Sequence, residues 1–321
     1  MSDNFIGSLI GLVGIILALI THMMIKHLSY DIDFLMILFG RFVCSLPLLF
    51  LFAIIARRTH FLKINNWEIV ALRSIFGLTT MLLVFLSLQL IPIGLVTALA
   101  QSSAIFVTIL APMFVGEKIG IKRWSAVLVG LCGVYFMTNP IGIIMGTSNL
   151  SSIGVTLATC SALTHAGLAI ILRKLGQTEH PTTTALIHNF ITSILVVSAI
   201  ILFGSDVIGQ KGIYGSEIIF NPNYYFYILI ILGIIGSFVQ YFMTTSYKFA
   251  DATILVTLRY IAIPIAAIFG YIIWDEVLTE NQIIGGTLII ISCLFKNIKI
   301  IQKKIYNVGY PGKNFSILQI A

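Results

Sequence analysis

The sequence predicts an all-α integral membrane protein built from ten transmembrane helices. Composition is the first reason. Of 321 residues, 58% are hydrophobic and 10% charged, with a mean hydropathy of +1.03. A soluble domain carries about 45–50% apolar and about 25% charged residues. The 19 Lys+Arg and 12 Asp+Glu are too few to coat a soluble surface, so most of the chain faces lipid or its own core. Periodicity is the second reason. The apolar residues gather into runs of about 20, the length that crosses hydrocarbon as a helix. They lack the two-residue alternation of a lipid-facing barrel.

Taken in order, the expected spans are 5–25, 32–56, 67–89, 93–116, 122–139, 150–172, 182–204, 223–247, 251–274 and 280–300. No Lys or Arg precedes the first run and no small-residue cleavage site stands out, so it reads as a retained helix rather than a signal peptide. Cys44, Cys132, Cys160 and Cys293 lie inside apolar runs with no CxxC or Cys/His spacing, and read as small buried hydrophobes. No metal is expected.

Basic residues set the orientation. With the N-terminus inside, the inner loops and C-terminal tail hold Arg57, Arg58, Lys63, Lys118, Lys122, Arg123, Arg173, Lys174, Lys248, Lys296, Lys299, Lys303, Lys304 and Lys313. The outer loops hold only Lys26 and Lys211, together with Asp206, Glu217, Asp275, Glu276 and Glu280. Fourteen against two is a positive-inside pattern, placing both termini in the cytoplasm of a cell whose cytoplasmic (inner) membrane the protein crosses. The net charge of +7 therefore reflects topology, and no nucleic-acid partner is expected.

The chain also resembles itself. Span one has Gly11 and then Thr21-His22; span six has Gly154 and then Thr164-His165, at the same interval. Span two reads Arg41-Phe42-Val43-Cys44-Ser45 and span seven Asn189-Phe190-Ile191-Thr192-Ser193. Spans four and nine end in Gly116-Glu117-Lys118 and Asp275-Glu276-Val277, after Val96-Thr97-Ala98-Leu99 and Val256-Thr257-Leu258. Five spans repeat as five. Because five is odd, the second copy enters from the opposite side, giving two inverted five-helix repeats over 1–140 and 141–300 with a basic cytoplasmic tail at 301–321. Such repeats place a substrate site near the midplane between the halves.

With an arginine early in span two and Gly-Glu or Asp-Glu closing spans four and nine, the chain from about residue 7 to residue 300 resembles the EamA-type carriers of the drug/metabolite transporter superfamily. Arg41, Leu72-Arg73 and Arg259-Tyr260 look most similar to the branch containing S-adenosylmethionine and riboflavin uptake carriers. The resemblance implies a secondary carrier that alternates access without ATP. The absence of a GxxxxGK[ST] loop from the sequence fits that.

Three basic residues fall within spans: Arg41, Arg73 and Arg259. A charge near the bilayer centre costs at least about 2.5–3.5 kcal/mol, so each needs a partner or a purpose. At 1.5 Å per residue Arg41 lies about 13 Å and Arg259 about 12 Å from a membrane face, while Arg73, about 9 Å deep, can snorkel. Their plain structural reading is a guanidinium tied to backbone carbonyls or amide side chains. Their functional reading is a grip on an anionic group of a substrate, with Tyr260 beside Arg259. No acid lies deep in a span, since Glu68, Glu117, Asp251 and Asp275 sit at helix ends, which argues against export of cationic drugs.

Other polar groups at depth are His165, His188, Asn189, Gln101 and Gln240. A histidine can carry a coupling proton or bond quietly between helices, and the amides line a pore or bridge helices. His22 reads as interfacial, as does the Tyr224, Tyr225 and Tyr227 cluster. Pro47, Pro112 and Pro264 are expected to bend spans two, four and nine. Gly7, Gly11, Gly14, Gly130, Gly133, Gly285 and Gly286 mark close helix contacts.

No catalytic triad, HExxH, carboxylate pair or phosphate loop survives inspection, so the chain is not read as an enzyme and no cofactor is expected. The expected function is a secondary active transporter of a small organic metabolite, anionic or zwitterionic and S-adenosylmethionine- or cofactor-like. A coupling proton or counter-substrate and membrane lipids are its other partners. The candidate substrate-binding residues are Arg259, Tyr260, Arg41, Arg73, Gln101, His165, Asn189 and Gln240. Export of amino acids or metabolites is the alternative, with a membrane scaffold or membrane-bound transferase behind it.

Overall fold

The computed structural model describes residues 3–57, 62–115, 121–139, 141–142, 145, 150–209, 211–220, 223–250, 255 and 258–292. Twelve named helices run through them: α1 (Asp3–Leu28), α2 (Phe34–Phe42), α3 (Leu46–Arg57), α4 (Trp67–Leu88), α5 (Ile93–Gln101), α6 (Ser103–Val115), α7 (Ile121–Thr138), α8 (Ser152–Thr178), α9 (Pro181–Phe203), α10 (Glu217–Phe220), α11 (Tyr224–Phe249) and α12 (Ala262–Trp274). Residues 280–292 are also helical. Among the described residues the one extended pairing is a parallel bridge between Ile32 and Tyr214. The tail after residue 292 and the positions of Arg58, Glu117, Lys118 and Asp251 lie outside the described residues.

Among the described residues six segments are long and apolar enough to cross a membrane: Phe5–Leu28, Phe34–Ala56, Trp67–Leu88, Ser152–Gly176, Pro181–Phe203 and Tyr224–Phe249. They correspond to the first, second, third, sixth, seventh and eighth expected spans. Where the fourth, fifth and ninth were expected, the apolar helices are shorter: Ile93–Val107, Val127–Thr138 and Ala262–Trp274. Apolar side chains such as Ile55, Ile201 and Leu202 stand exposed on the outer faces. Water would penalise that surface; hydrocarbon does not.

Two prolines mark interruptions. Pro47 lacks the amide that would bond the Val43 carbonyl, and α2 gives way to α3 through residues 43–45. Pro264 stands four residues after Tyr260, and the helical residues 258–259 give way at 260–261 before α12 begins. The α5–α6 break at Ser102 has no proline. There Ser102 Oγ donates to the Leu99 carbonyl at 2.6 Å, and α6 continues through Pro112 without a second named break.

Among the named helices the most extensive packing is of α1 on α11 and of α4 on α8. Small residues make the first possible. A Cβ at Gly14 would stand 3.0 Å from Met243 Sδ and one at Gly11 3.4 Å from Ser246 Cβ, and at the C-cap of α11 one at Gly7 would stand 2.5 Å from the Ala250 nitrogen. The same device joins α7 to the helical 280–292 segment, where a Cβ at Gly133 would come within 2.7 Å of the Gly285 carbonyl.

One end of the bundle closes on a buried ion pair. Lys26 Nζ lies 2.6 Å from Glu276 Oε1. It also donates to the carbonyls of Leu88 at 3.2 Å and Ile91 at 3.1 Å, at the C-terminus of α4. Glu276 Oε2 accepts from the Ile93 amide at 2.9 Å, at the N-terminus of α5. Each charge thus meets the helix end whose dipole favours it. Asp275 supplies the geometry: at φ 53° it leaves α12 in the left-handed region that a short acidic side chain tolerates. Lys26 was expected in an outer loop; it is buried instead, because α1 extends to Leu28 and delivers it to this carboxylate. Nearby, Asp33 accepts from Ser205 Oγ at 2.6 Å and Gly212 N at 2.8 Å, fastening the 205–216 loop to the start of α2.

Lys26→Met leaves the Glu276 carboxylate unpaired, and the expected cost is about 3–5 kcal/mol of stability. The double variant Lys26→Met/Glu276→Gln should recover most of it. Thermal unfolding in a fixed detergent reads both.

Candidate functional site

A cavity of about 180 Å³ lies between α1, α2, α4, α5, α8, α9, α11 and the helical turn before α12. Arg41, Arg73 and Arg259 all reach its wall, as do His22, His165 and His188. Among the described lining residues there is no Asp or Glu.

Arg41 is 1% exposed and Arg73 is 3% exposed. Arg41 fits because α11 offers Gly236 opposite it: a Cβ there would stand 2.5 Å from Arg41 Nη1. Gly77 plays the same part for His188, where a Cβ would lie 2.8 Å from Cε1. Arg73 Nη2 donates to Gln240 Oε1 at 3.3 Å, a long bond. The Nε and Nη1 groups of both Arg41 and Arg73 are buried without a hydrogen-bond partner. Arg259 lies 2.8 Å from His165 through Nη1 and Nε2. A guanidinium can only donate, so His165 accepts with a neutral ring. Its Nδ1 is buried with no partner.

Six of the eight expected residues therefore share one wall: Arg259, Arg41, Arg73, Gln101, His165 and Gln240. Tyr260 and Asn189 stand elsewhere. Tyr260 is 5% exposed and belongs to the apolar core with Ile263 and Ala266. Adjacent helical residues point about 100° apart, so a turn that aims Arg259 at the cavity aims Tyr260 away. Asn189 is fully buried between helices: Ser45 Oγ donates to its Oδ1 at 3.1 Å, and its Nδ2 donates to the Ala185 carbonyl at 2.9 Å. It braces the α2–α3 break. His22, expected at the interface, lines the cavity. The Thr-His pairs of spans one and six were the signal for it, since both imidazoles reach the same wall.

The EamA-like transporter family model matches residues 5–139 and again 152–298. This chain belongs to the EamA-like transporter family. It is accordingly a multi-pass membrane protein and a transporter rather than an enzyme. Among similar proteins, an S-adenosylmethionine uptake transporter of Rickettsia prowazekii (strain Madrid E) is 26% identical over 304 residues, covering 92% of this chain and 95% of that one. A pseudopaline exporter of Pseudomonas aeruginosa (strain UCBPP-PA14) is 25% identical over 69% of this chain and 72% of its own. A riboflavin transporter of Brucella anthropi is 25% identical over 79% of this chain and 82% of its own. A solved crystal structure superposes with a TM-score of 0.63 over 94% of this chain and 99% of that one, at 15% identity, which is a likeness of fold.

The transporter's Asn189→Ala variant should lose roughly 0.5–2 kcal/mol of stability, because an inter-helix bond disappears while Ser45 Oγ keeps its 2.6 Å bond to the Phe42 carbonyl. Thermal unfolding checks it against wild type.

Proposed function

We propose that the chain is a secondary carrier that moves a small organic metabolite with an anionic part across the cytoplasmic membrane by alternating access. The observation that carries this reading is the cavity wall, with three guanidiniums and no carboxylate among its described residues. Such a wall needs its counter-charge from the cargo.

The reading includes ten spans in two inverted halves, 1–140 and 141–300, with both termini cytoplasmic. Four observations support it. The family model matches twice, once in each half. The two most extensive packings among the named helices, α1 with α11 and α4 with α8, each join opposite halves, and exchanging the halves exchanges the pairs. His22 and His165, which correspond in the two copies, line one cavity. The breaks at Ser102 and at residues 260–261 fall in spans four and nine, which also correspond. A proton or a counter-substrate completes the cycle.

Uptake of a cofactor-like metabolite is the first direction we infer, supported by relatives named for S-adenosylmethionine uptake and riboflavin transport. Export is the second, favoured by the relative named as a pseudopaline exporter.

Counterflow in sealed proteoliposomes across a broad metabolite panel tests the carrier reading, and its complete absence would sink it. Arg259→Ala should cut flux about 10- to 100-fold, the size of a lost charge-assisted bond, with the unfolding temperature within a few degrees of wild type. Unchanged flux removes Arg259 from the site.

A further inference from the structure

We infer that the cargo carries two separate negative groups, one met by Arg259 and the other by Arg41 and Arg73. This rests on the carrier reading and narrows it to a substrate class: dicarboxylates, or phosphate esters that also bear a carboxylate.

The cations of the wall form two poles. Arg41 packs on Gly236 of α11 and Arg73 bonds Gln240 one turn further along the same helix, with His188 against Gly77 one turn from Arg73 on α4. Arg259 instead meets His165 on α8. His22 lines the same cavity as both groups. At the first pole Arg41 and Arg73 each hold Nε and Nη1 buried and unbonded, and the amide oxygen of Gln240 takes only one further N–H. At the second, Arg259 rests on the neutral His165 ring at 2.8 Å. Each guanidinium keeps its charge at any physiological pH and offers five donors and no acceptor. The described wall therefore holds three fixed positive charges and no fixed negative one.

A single carboxylate compensates one pole and leaves the other as an unpaired charge in a medium that penalises it. Two anionic groups on one molecule compensate both, and bidentate geometry favours carboxylate and phosphate oxygens. A sulfonium such as S-adenosylmethionine carries net positive charge, and riboflavin carries none. Neither complements this wall, although relatives of this chain are named for them. The two-pole wall thus separates this carrier's cargo from theirs by charge.

The test titrates the purified protein in nanodiscs at constant ionic strength with butyrate, succinate, glutarate, 3-phosphoglycerate, S-adenosylmethionine and riboflavin, following thermal unfolding. At least one of succinate, glutarate and 3-phosphoglycerate should act at a concentration about tenfold or more below butyrate, as a second charge-assisted contact requires. Arg41→Gln and Arg259→Gln should each bring that concentration up to the butyrate value. Should those variants not fold, wild type gives a second readout: added sodium chloride should weaken the dianion more steeply than butyrate.

Equal action of dianion and monoanion, equal salt slopes, or S-adenosylmethionine acting below every dianion overturns the inference and leaves the carrier standing. Silence toward all three dianions while vesicles still show counterflow of another metabolite does the same. Silence toward every compound with no counterflow of any metabolite sinks the carrier reading as well.

Discussion

Hydrocarbon offers no hydrogen bond, so every interruption of a helix below the membrane surface must find its partners inside the protein. Among the described residues helices are interrupted in three places, and each is answered from within. Ser237 Oγ on α11 donates to the Ser45 carbonyl at 2.9 Å, and Asn189 on α9 takes the Ser45 hydroxyl, so two neighbours hold the α2–α3 break. Ser102 satisfies the α5–α6 break locally. The turn at 260–261 is closed by 3.2 Å and 3.1 Å backbone bonds from Ile261 N to the Leu258 carbonyl and from Ile263 N to the Tyr260 carbonyl. The breaks place Arg41, Gln101 and Arg259 beside them on the cavity wall. Irregular backbone and the cavity adjoin here, where the breaks are enclosed by protein.

The same rule explains the ends of the bundle. Lys26 and Glu276 satisfy the carbonyls that end α4 and the amide that opens α5, as well as each other. The pair is therefore a joint between four helix termini, those of α1, α4, α5 and α12, with Lys26 at the end of α4 and Glu276 at the start of α5 where the helix dipoles favour them. Glu276 works at this joint and Asp33 at the loop before α2, outside the cavity. That leaves the described cavity wall to cations and imidazoles.

Much of this was legible in the residues themselves. Composition and run length announced the membrane, and span three, expected over 67–89, is helical from Trp67 to Leu88. The three arginines stood out because a cation in an apolar run has no casual explanation. What the sequence could not supply was helical phase and distant partners. Tyr260 was grouped with Arg259 by adjacency, yet one residue turns the side chain out of the cavity and into the core. His22 was set near the surface because it lies near the outer end of span one, with Lys26 expected in the outer loop beyond it. Lys26 is buried only because Glu276 meets it, a fact written at the other end of the chain. Asn189 looked like a pore group, and its bonds to Ser45 and Ala185 show a brace. Proline signalled two breaks, whereas the break at Ser102 rests on a serine that bonds its own helix.

The glycine-lined contact of α1 with α11 has a mechanical corollary. Gly7, Gly11 and Gly14 bring α1 so near Ala250, Ser246 and Met243 that the two helices interlock. Helix α4 is fitted to α8 likewise, with Gly167 against the ring of Phe76. In each couple one helix belongs to the first stretch matched by the family model and the other to the second. Any movement that preserves these seams carries α1 along with α11, and α4 along with α8. The parts that such a movement keeps together each draw one helix from either matched stretch.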